Sequence, residues 1–118
     1  MRNFISLKIW KTAHDLTLRI YDVTLSLPKE ELFGLKSQMR RSSSSIPTNI
    51  AEGCGRNTKA DLKRFLTIAS GSCSELEYQL ILAKDLNYLS EINFQDLSGI
   101  VIQLRKMIHS YSSKLNEV

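Results

Sequence analysis

Apolar residues recur every three or four positions in four long stretches of the chain, which is the spacing of one face of an α-helix. No stretch alternates apolar and polar residues over the length of a strand. The pattern therefore predicts four helices, over about residues 7–26, 29–53, 59–87 and 93–116. The four stripes consist of Ile9, Ala13, Leu16, Ile20, Val23 and Leu27; of Leu35, Met39, Ser42, Ile46 and Ile50; of Leu62, Leu66, Ala69, Cys73, Leu76, Leu80 and Ala83; and of Leu97, Val101, Leu104, Ile108, Tyr111 and Leu115.

Two prolines affect these helices differently. Pro28 ends the first helix, because the residue before a proline avoids the α-helical region. Pro47 lies inside the second stripe, and we expect it to kink that helix or to free a backbone carbonyl without ending it. The serines from Ser42 to Ser45 keep the helical phase. Their small side chains predict close approach to a neighbouring helix.

Four long helices with short connections predict an all-α protein, an up-down-up-down antiparallel four-helix bundle. At 118 residues the chain has the length of one domain, which we place at residues 1–118. Trp10, Phe33 and Phe65 lie off the stripes. A lone bundle of this size would expose several such side chains, so we expect self-association.

Composition narrows the class of protein further. The apolar fraction of 42% and the charged fraction of 24% are those of a globular chain. No apolar run reaches the length of a membrane span, and the sequence begins without a signal pattern. We therefore expect a cytoplasmic protein with no membrane partner.

Positive charge is concentrated in one segment. Residues 36–64 hold seven basic and two acidic side chains, a net charge of +5, and the remaining 9 basic and 10 acidic residues leave −1. A local basic patch is typical of nucleic-acid binding and equally of a solvated helix face. If RNA or DNA binds, the side chains that we expect to contact phosphate are Arg40, Lys59, Lys63 and Arg64.

The chain contains residue types that enzymes use in catalysis, but their spacing matches no catalytic or metal-binding motif. His14 and His109 stand alone, and the Glu-x-x-His pattern of di-iron bundles is absent. Cys54 and Cys73 are too few for a four-cysteine zinc site, and no serine has His and Asp neighbours. We expect no enzyme, no metal and no cofactor.

Polar residues on the second and third helices form a further candidate site. Glu52 and Arg56 are spaced four apart, with the acid first, which favours an ion pair. The set is either a functional site or a buried network that fixes helix register, and we favour the network. Its members are Gln38, Arg41, Asn49, Glu52, Arg56, Glu75, Glu77 and Gln79.

Several motifs together resemble one known family. The most specific is the block Ser45-Ile46-Pro47-x-Asn49-Ile50-Ala51-Glu52-Gly53, preceded by Phe33-Gly34-Leu35-x-Ser37-Gln38-x-Arg40-Arg41 and followed by Gly71-Ser72-x-x-Glu75-Leu76-Glu77-x-Gln79-Leu80. These residues resemble the four-helix-bundle family of 23S rRNA intervening-sequence proteins, which are encoded within intervening sequences of bacterial 23S rRNA genes or elsewhere in the genome. The resemblance covers nearly the whole chain and is weakest after about residue 89.

The resemblance implies a homopentamer around a central pore, and leaves the biochemical role open. The family is similar to the accessory protein of diversity-generating retroelements, a basic pentamer that engages a reverse transcriptase and RNA. Two functions follow as expectations. The protein is a non-catalytic oligomer that binds RNA or another nucleic acid through its phosphates. Alternatively, it is a protein-interaction scaffold or adaptor, for example for a polymerase or a ribosomal component.

Overall fold

A computed structural model describes residues 2–115, and this part of the chain contains four α-helices and no strand. The helices are α1 (Lys8–Thr24), α2 (Leu35–Cys54), α3 (Lys59–Asp85) and α4 (Glu91–Lys114). Two single 3-10 turns, Phe4–Ser6 and Lys29–Glu31, precede α1 and α2. The all-α prediction is confirmed. The predicted end of the last helix, Asn116, and the outermost ends of the predicted domain lie outside the described residues.

The core is formed by the four predicted stripes. Every stripe residue of α2 and α3 is buried, as are those of the first helix except Val23, which is partly buried. In α4 the last two stripe residues, Tyr111 and Leu115, are only partly buried, although they pack against the core. Because each stripe covers one helix face, the charged residues are left on the outer faces.

The second helix begins later than predicted. Residues 29–31 form a 3-10 turn, and α2 starts only at Leu35, after Gly34. The Glu31 side chain provides the cap, because its Oε1 accepts a hydrogen bond from the backbone N–H of Leu35 over 3.0 Å. Its Oε2 accepts from the Tyr88 hydroxyl over 3.2 Å. Glu31 therefore joins the α1–α2 connection to the α3–α4 connection at the same end of the molecule.

Each helix packs against two others. α2 contacts α1 and α3, and α4 contacts α3 and α1. Hydrogen bonds join Thr17 to Ser43 and Thr24 to Arg40. The later of the two α1 residues therefore contacts the earlier of the two α2 residues. The described residues form an elongated body of 48 × 23 × 20 Å.

Pro47 is buried in the middle of α2, and the helix continues through it. A proline at this position has no N–H to give to the carbonyl of Ser43, four residues earlier. The Thr17 hydroxyl of α1 lies 3.0 Å from that carbonyl oxygen and 2.9 Å from the Ala13 carbonyl of its own helix. The expectation that Pro47 frees a carbonyl without ending the helix is confirmed, and the freed carbonyl binds the neighbouring helix.

Small residues line the contact between α2 and α3, as predicted. The hydroxyls of Ser45 and Ser72 lie 2.9 Å apart, and Ser42 donates to the side-chain oxygen of buried Gln79 over 2.6 Å. Further along, a β-carbon added to Gly53 would lie 2.9 Å from a methyl carbon of Leu62. The two backbones therefore approach closely along much of α2.

We predict that Thr17→Val destabilises the protein by about 1–3 kcal/mol, because it leaves the buried Ser43 carbonyl without its partner. In a Pro47→Ala background the backbone N–H at position 47 can donate to that carbonyl, and the same substitution should cost less by about 1 kcal/mol. Urea unfolding of the four proteins in this double-mutant cycle measures the coupling. An equal cost in both backgrounds would contradict the assigned hydrogen bond.

Candidate nucleic-acid interface

Three of the four predicted phosphate-binding side chains lie together on the first two turns of α3. Lys59 and Arg64 are exposed and Lys63 is partly buried. Lys59 and Lys63 are four residues apart and so share one helix face. The Thr58 side chain begins the helix by accepting from the backbone N–H of Asp61 over 3.1 Å. The nearest acid, Asp61, lies 3.5 Å from Arg64 Nε in an exposed pair.

Phe65 connects these residues to the end of α2. Its ring is buried, and two guanidinium groups lie against it, that of Arg64 at 4.5 Å and that of Arg56 at 4.9 Å from the ring centroid. An arginine over an aromatic ring keeps its charge and remaining N–H donors available to solvent. Arg56 and Arg64 thus meet at the Phe65 ring, and Lys59 and Lys63 lie on the same two turns of α3 as Arg64. We call these four residues the basic cluster.

Arg40 does not join the basic cluster. It lies fourteen residues before the end of α2, roughly 20 Å along the helix axis. Its Nε donates to Thr24 Oγ1 over 2.9 Å, its Nη2 donates to the Tyr21 carbonyl over 3.0 Å, and its guanidinium covers the Tyr21 ring. Arg40 therefore satisfies a carbonyl near the C-terminal end of α1, where a positive charge is also favoured by the helix dipole. Arg40, which we also expected to contact phosphate, therefore lies apart from the three α3 residues.

An open groove runs between α1 and α2 next to the basic cluster. Its volume is about 760 Å³. On its α1 side the Trp10 indole and the His14 imidazole are stacked, with their centroids 5.1 Å apart and their planes within 5°. Phe4 meets the same indole edge-on at 5.1 Å. The lining consists of Trp10, His14, Thr17, Ser44, Pro47, Thr48, Ala51, Glu52, Gly55 and Arg56.

The structure separates the polar residues that we expected to form one buried network. Gln79 alone among the eight is buried; Asn49 and Glu77 are partly buried, and the five others, Gln38, Arg41, Glu52, Arg56 and Glu75, are exposed. Glu52 and Arg56 do pair, at 3.1 Å, but with side chains 51% and 42% exposed. The reason is angular: Glu52 is two residues after the core residue Ile50, and such residues do not share a helix face.

The polar contacts that do form are smaller and include residues that the sequence analysis did not assign. Gln79 is held by Ser42, and its Nε2 lies 3.5 Å from Glu75 Oε2. Asn49 donates to the Ser45 hydroxyl over 2.9 Å, within the α2–α3 contact. Glu77 pairs with Arg105 of α4. In the contact between α2 and α3, Gln79 and Asn49 thus have serine hydroxyls as hydrogen-bond partners in place of the expected arginines.

The remaining chemically active residues are dispersed. Both cysteines are buried, and burial raises the pKa of each thiol, that of Cys73 to about 12, so they are protonated at neutral pH. Within residues 2–115 no group of three or more His, Cys, Asp or Glu side chains is placed to hold a metal ion. None of the helices in that range is long and apolar enough to cross a membrane.

The fold and this surface define a small all-α, four-helix protein with a basic cluster at one end. The chain belongs to the family of 23S rRNA-intervening sequence proteins, whose family model matches residues 6–110. The resemblance drawn from its motifs is therefore confirmed. No curated protein matches the sequence.

Among solved structures, the chain is similar to a protein of unknown function from the S23 ribosomal protein family of Bacteroides thetaiotaomicron VPI-5482. The two superpose with a TM-score of 0.82 and 24% sequence identity, over 88% of this chain and 97% of that one. At this identity the similarity shows the fold alone.

The burial pattern predicts opposite outcomes for two polar substitutions. Glu52→Ala removes an exposed i,i+4 ion pair and should change the unfolding free energy by about 0.5 kcal/mol or less. Gln79→Ala removes a buried hydrogen-bond partner of Ser42 and should cost about 1–3 kcal/mol. Urea unfolding of both variants beside the parent measures the two costs. A Glu52→Ala cost equal to that of Gln79→Ala would mean that Glu52 is buried in the assembled protein.

Proposed function

We propose that this protein binds RNA without catalysis, through the phosphate backbone, and that the basic cluster is the surface of contact. The observation that carries the proposal is the concentration of four cationic side chains within residues 56–64, with Arg56 and Arg64 on the Phe65 ring and Lys59 and Lys63 on one face of α3. The first backbone N–H groups of α3 lie beside them, and a helix N-terminus also favours an anion.

The distribution of charge supports the same surface. The net charge of +5 in residues 36–64 exceeds the +4 of the whole chain. Within that segment Arg40 is engaged with α1, whereas the basic cluster lies at the α2–α3 turn, where a long polyanion can approach. Phosphate contacts of this kind give affinity with little dependence on base sequence. An RNA partner also fits the expected cytoplasmic location.

We infer further that the helices run up-down-up-down and that the chain forms a homopentameric ring, as the family resemblance implies. The order of the contacts between α1 and α2 supports the first part. For the second part, the support is apolar surface at the end opposite the basic cluster. There Phe33 is 93% and Ile92 81% exposed, beside Leu25, Leu32 and Leu86. Five chains of net charge +4 would carry +20, which strengthens the attraction to RNA.

The double charge reversal Lys59→Glu, Lys63→Glu tests the RNA contact. It should weaken binding to all RNA sequences alike and reduce the slope of log affinity against log salt by about 1.4, that is, about 0.7 for each single-strand phosphate that the variant no longer neutralises. Gel-shift or fluorescence-anisotropy titrations at several salt concentrations measure both quantities. The matched control is Lys29→Glu, Lys36→Glu, which makes the same change of charge at the other end of α2.

Equal RNA affinity of the two double variants, with parental helix content and assembly mass, would overturn the assignment of the basic cluster. Absence of RNA binding by the parent at low salt would overturn the function itself. The adaptor function, in which this surface meets an acidic protein, would then take its place.

The oligomer makes a separate prediction. Size exclusion coupled to light scattering should give a mass near five chains at micromolar concentration, and Phe33→Ser should lower the mass because it removes exposed apolar surface from the contact. Lys29→Ser, a substitution on the same connection that leaves the apolar residues intact, is the control. A monomeric parent contradicts the oligomer, and a Phe33→Ser variant with parental mass removes this end from the interface.

A further inference from the structure

The groove between α1 and α2 has properties that differ from those of the basic cluster beside it. Its volume of about 760 Å³ is within the range of sites for small organic ligands, which is about 300–1,000 Å³. Among the described residues, the charged side chains that line it are Glu52 and Arg56, which pair with each other at 3.1 Å. Their formal charges cancel. Such a site suits a neutral group better than a phosphate.

The aromatic stack on the α1 side gives the groove a flat apolar surface. The Trp10 indole is partly buried and held edge-on by Phe4, and the His14 imidazole lies parallel to it and is exposed. A flat ring held in place in this way loses little conformational freedom when another ring stacks on it. Aromatic side chains, histidine included, are the usual platforms for the unpaired bases of RNA.

The polar groups of the groove match one edge of a base. The Glu52 carboxylate accepts from Arg56 through Oε1, and two carboxylate oxygens together offer about four lone-pair positions. Guanine presents two adjacent donors, N1–H and the 2-amino group, on its Watson–Crick edge. Adenine presents one donor beside an acceptor on that edge and would make the poorer partner for a carboxylate.

Arg56 makes the groove and the basic cluster continuous. It lines the groove, and its guanidinium lies over the Phe65 ring on which Arg64 also packs. A strand whose phosphates follow the basic cluster would therefore pass the mouth of the groove. A base flipped out of that strand would reach the stacked rings without crossing the bundle.

We propose that the α1–α2 groove binds an unpaired guanine base of an RNA strand, stacked on the His14–Trp10 pair and hydrogen-bonded to Glu52. This inference rests on the proposed RNA binding and deepens it. It assigns the phosphates to the basic cluster and the base to the groove. The preferred ligand is then single-stranded RNA that contains guanosine, and not duplex RNA.

Trp10 is the only tryptophan in the chain, so its fluorescence reports on the groove. The experiment titrates the protein with a short uridine strand that contains one guanosine, and with the same strand carrying an abasic nucleotide at that position. Anisotropy of a dye on the strand measures binding, and Trp10 emission measures occupation of the groove. We expect both strands to bind, the guanosine strand to bind more tightly by roughly tenfold, and only that strand to quench Trp10.

Two variants assign the contacts. His14→Ala should remove most of the advantage of the guanosine strand and leave the affinity for the abasic strand unchanged. The control is His109→Ala, which changes an exposed histidine of α4 outside the groove and should behave as the parent. Glu52→Gln should reduce the preference for guanosine over adenosine at the single purine position, with helix content and assembly mass as checks on folding.

The outcomes separate this proposal from the function on which it rests. Equal affinity for the two strands without quenching overturns the groove site and leaves RNA binding in place. If neither strand binds, the proposed function fails, and guanosine 5′-monophosphate alone decides the groove, with ribose 5-phosphate as the control without a base. Quenching by the nucleotide that disappears in His14→Ala supports the groove, and absence of quenching overturns it.

Discussion

The hydrogen bond between the Thr17 hydroxyl and the Ser43 carbonyl joins α1 to α2, and the groove between the two helices depends on their relation. Pro47 creates the need for this bond because it supplies no N–H to the carbonyl one turn earlier. A buried carbonyl without a hydrogen-bond partner costs folding free energy. For this reason α1 must place a donor within hydrogen-bond distance of the Ser43 oxygen. Thr17 and Pro47 also line the α1–α2 groove. The interaction that joins the two helices thus also forms part of the groove wall.

Small side chains determine the other contacts of α2. Ser42, Ser45 and Gly53 face α3, where bulkier residues would separate the helices. On the opposite side Ala51 and Gly55 leave room for the groove. The small residues of α2 therefore allow close packing against α3 on one face and leave space for the groove on another.

The sequence predicts the core of this protein well because burial follows helical periodicity, and all residues of the α2 and α3 stripes are indeed buried. It also predicts the effect of Pro47, since a missing N–H is a property of the residue itself. The prediction of a polar network relies on residue types and neglects the angle around the helix. It therefore wrongly places Glu52 inside, although this residue follows the core residue Ile50 by two positions.

Contacts between distant parts of the chain are beyond what the sequence predicts. Nothing local shows that Glu31 meets Tyr88, or that Arg40 reaches the end of α1. The Trp10–His14 stack does have a local signal, because residues four apart share a helix face. The interpretation of His14 as an isolated histidine overlooks that signal.

The unlike ends of the molecule have a consequence for any closed cyclic assembly. Rotational symmetry about one axis gives every subunit the same orientation relative to that axis, so all the basic clusters would lie at the same height along the axis and at the same distance from it. A flexible polyanion held at one cluster would then experience a high effective concentration of the others. Weak contacts at each subunit would combine into strong avidity for long chains, while short fragments would dissociate quickly. Selection of a partner by its length would arise from symmetry alone, without any additional contact.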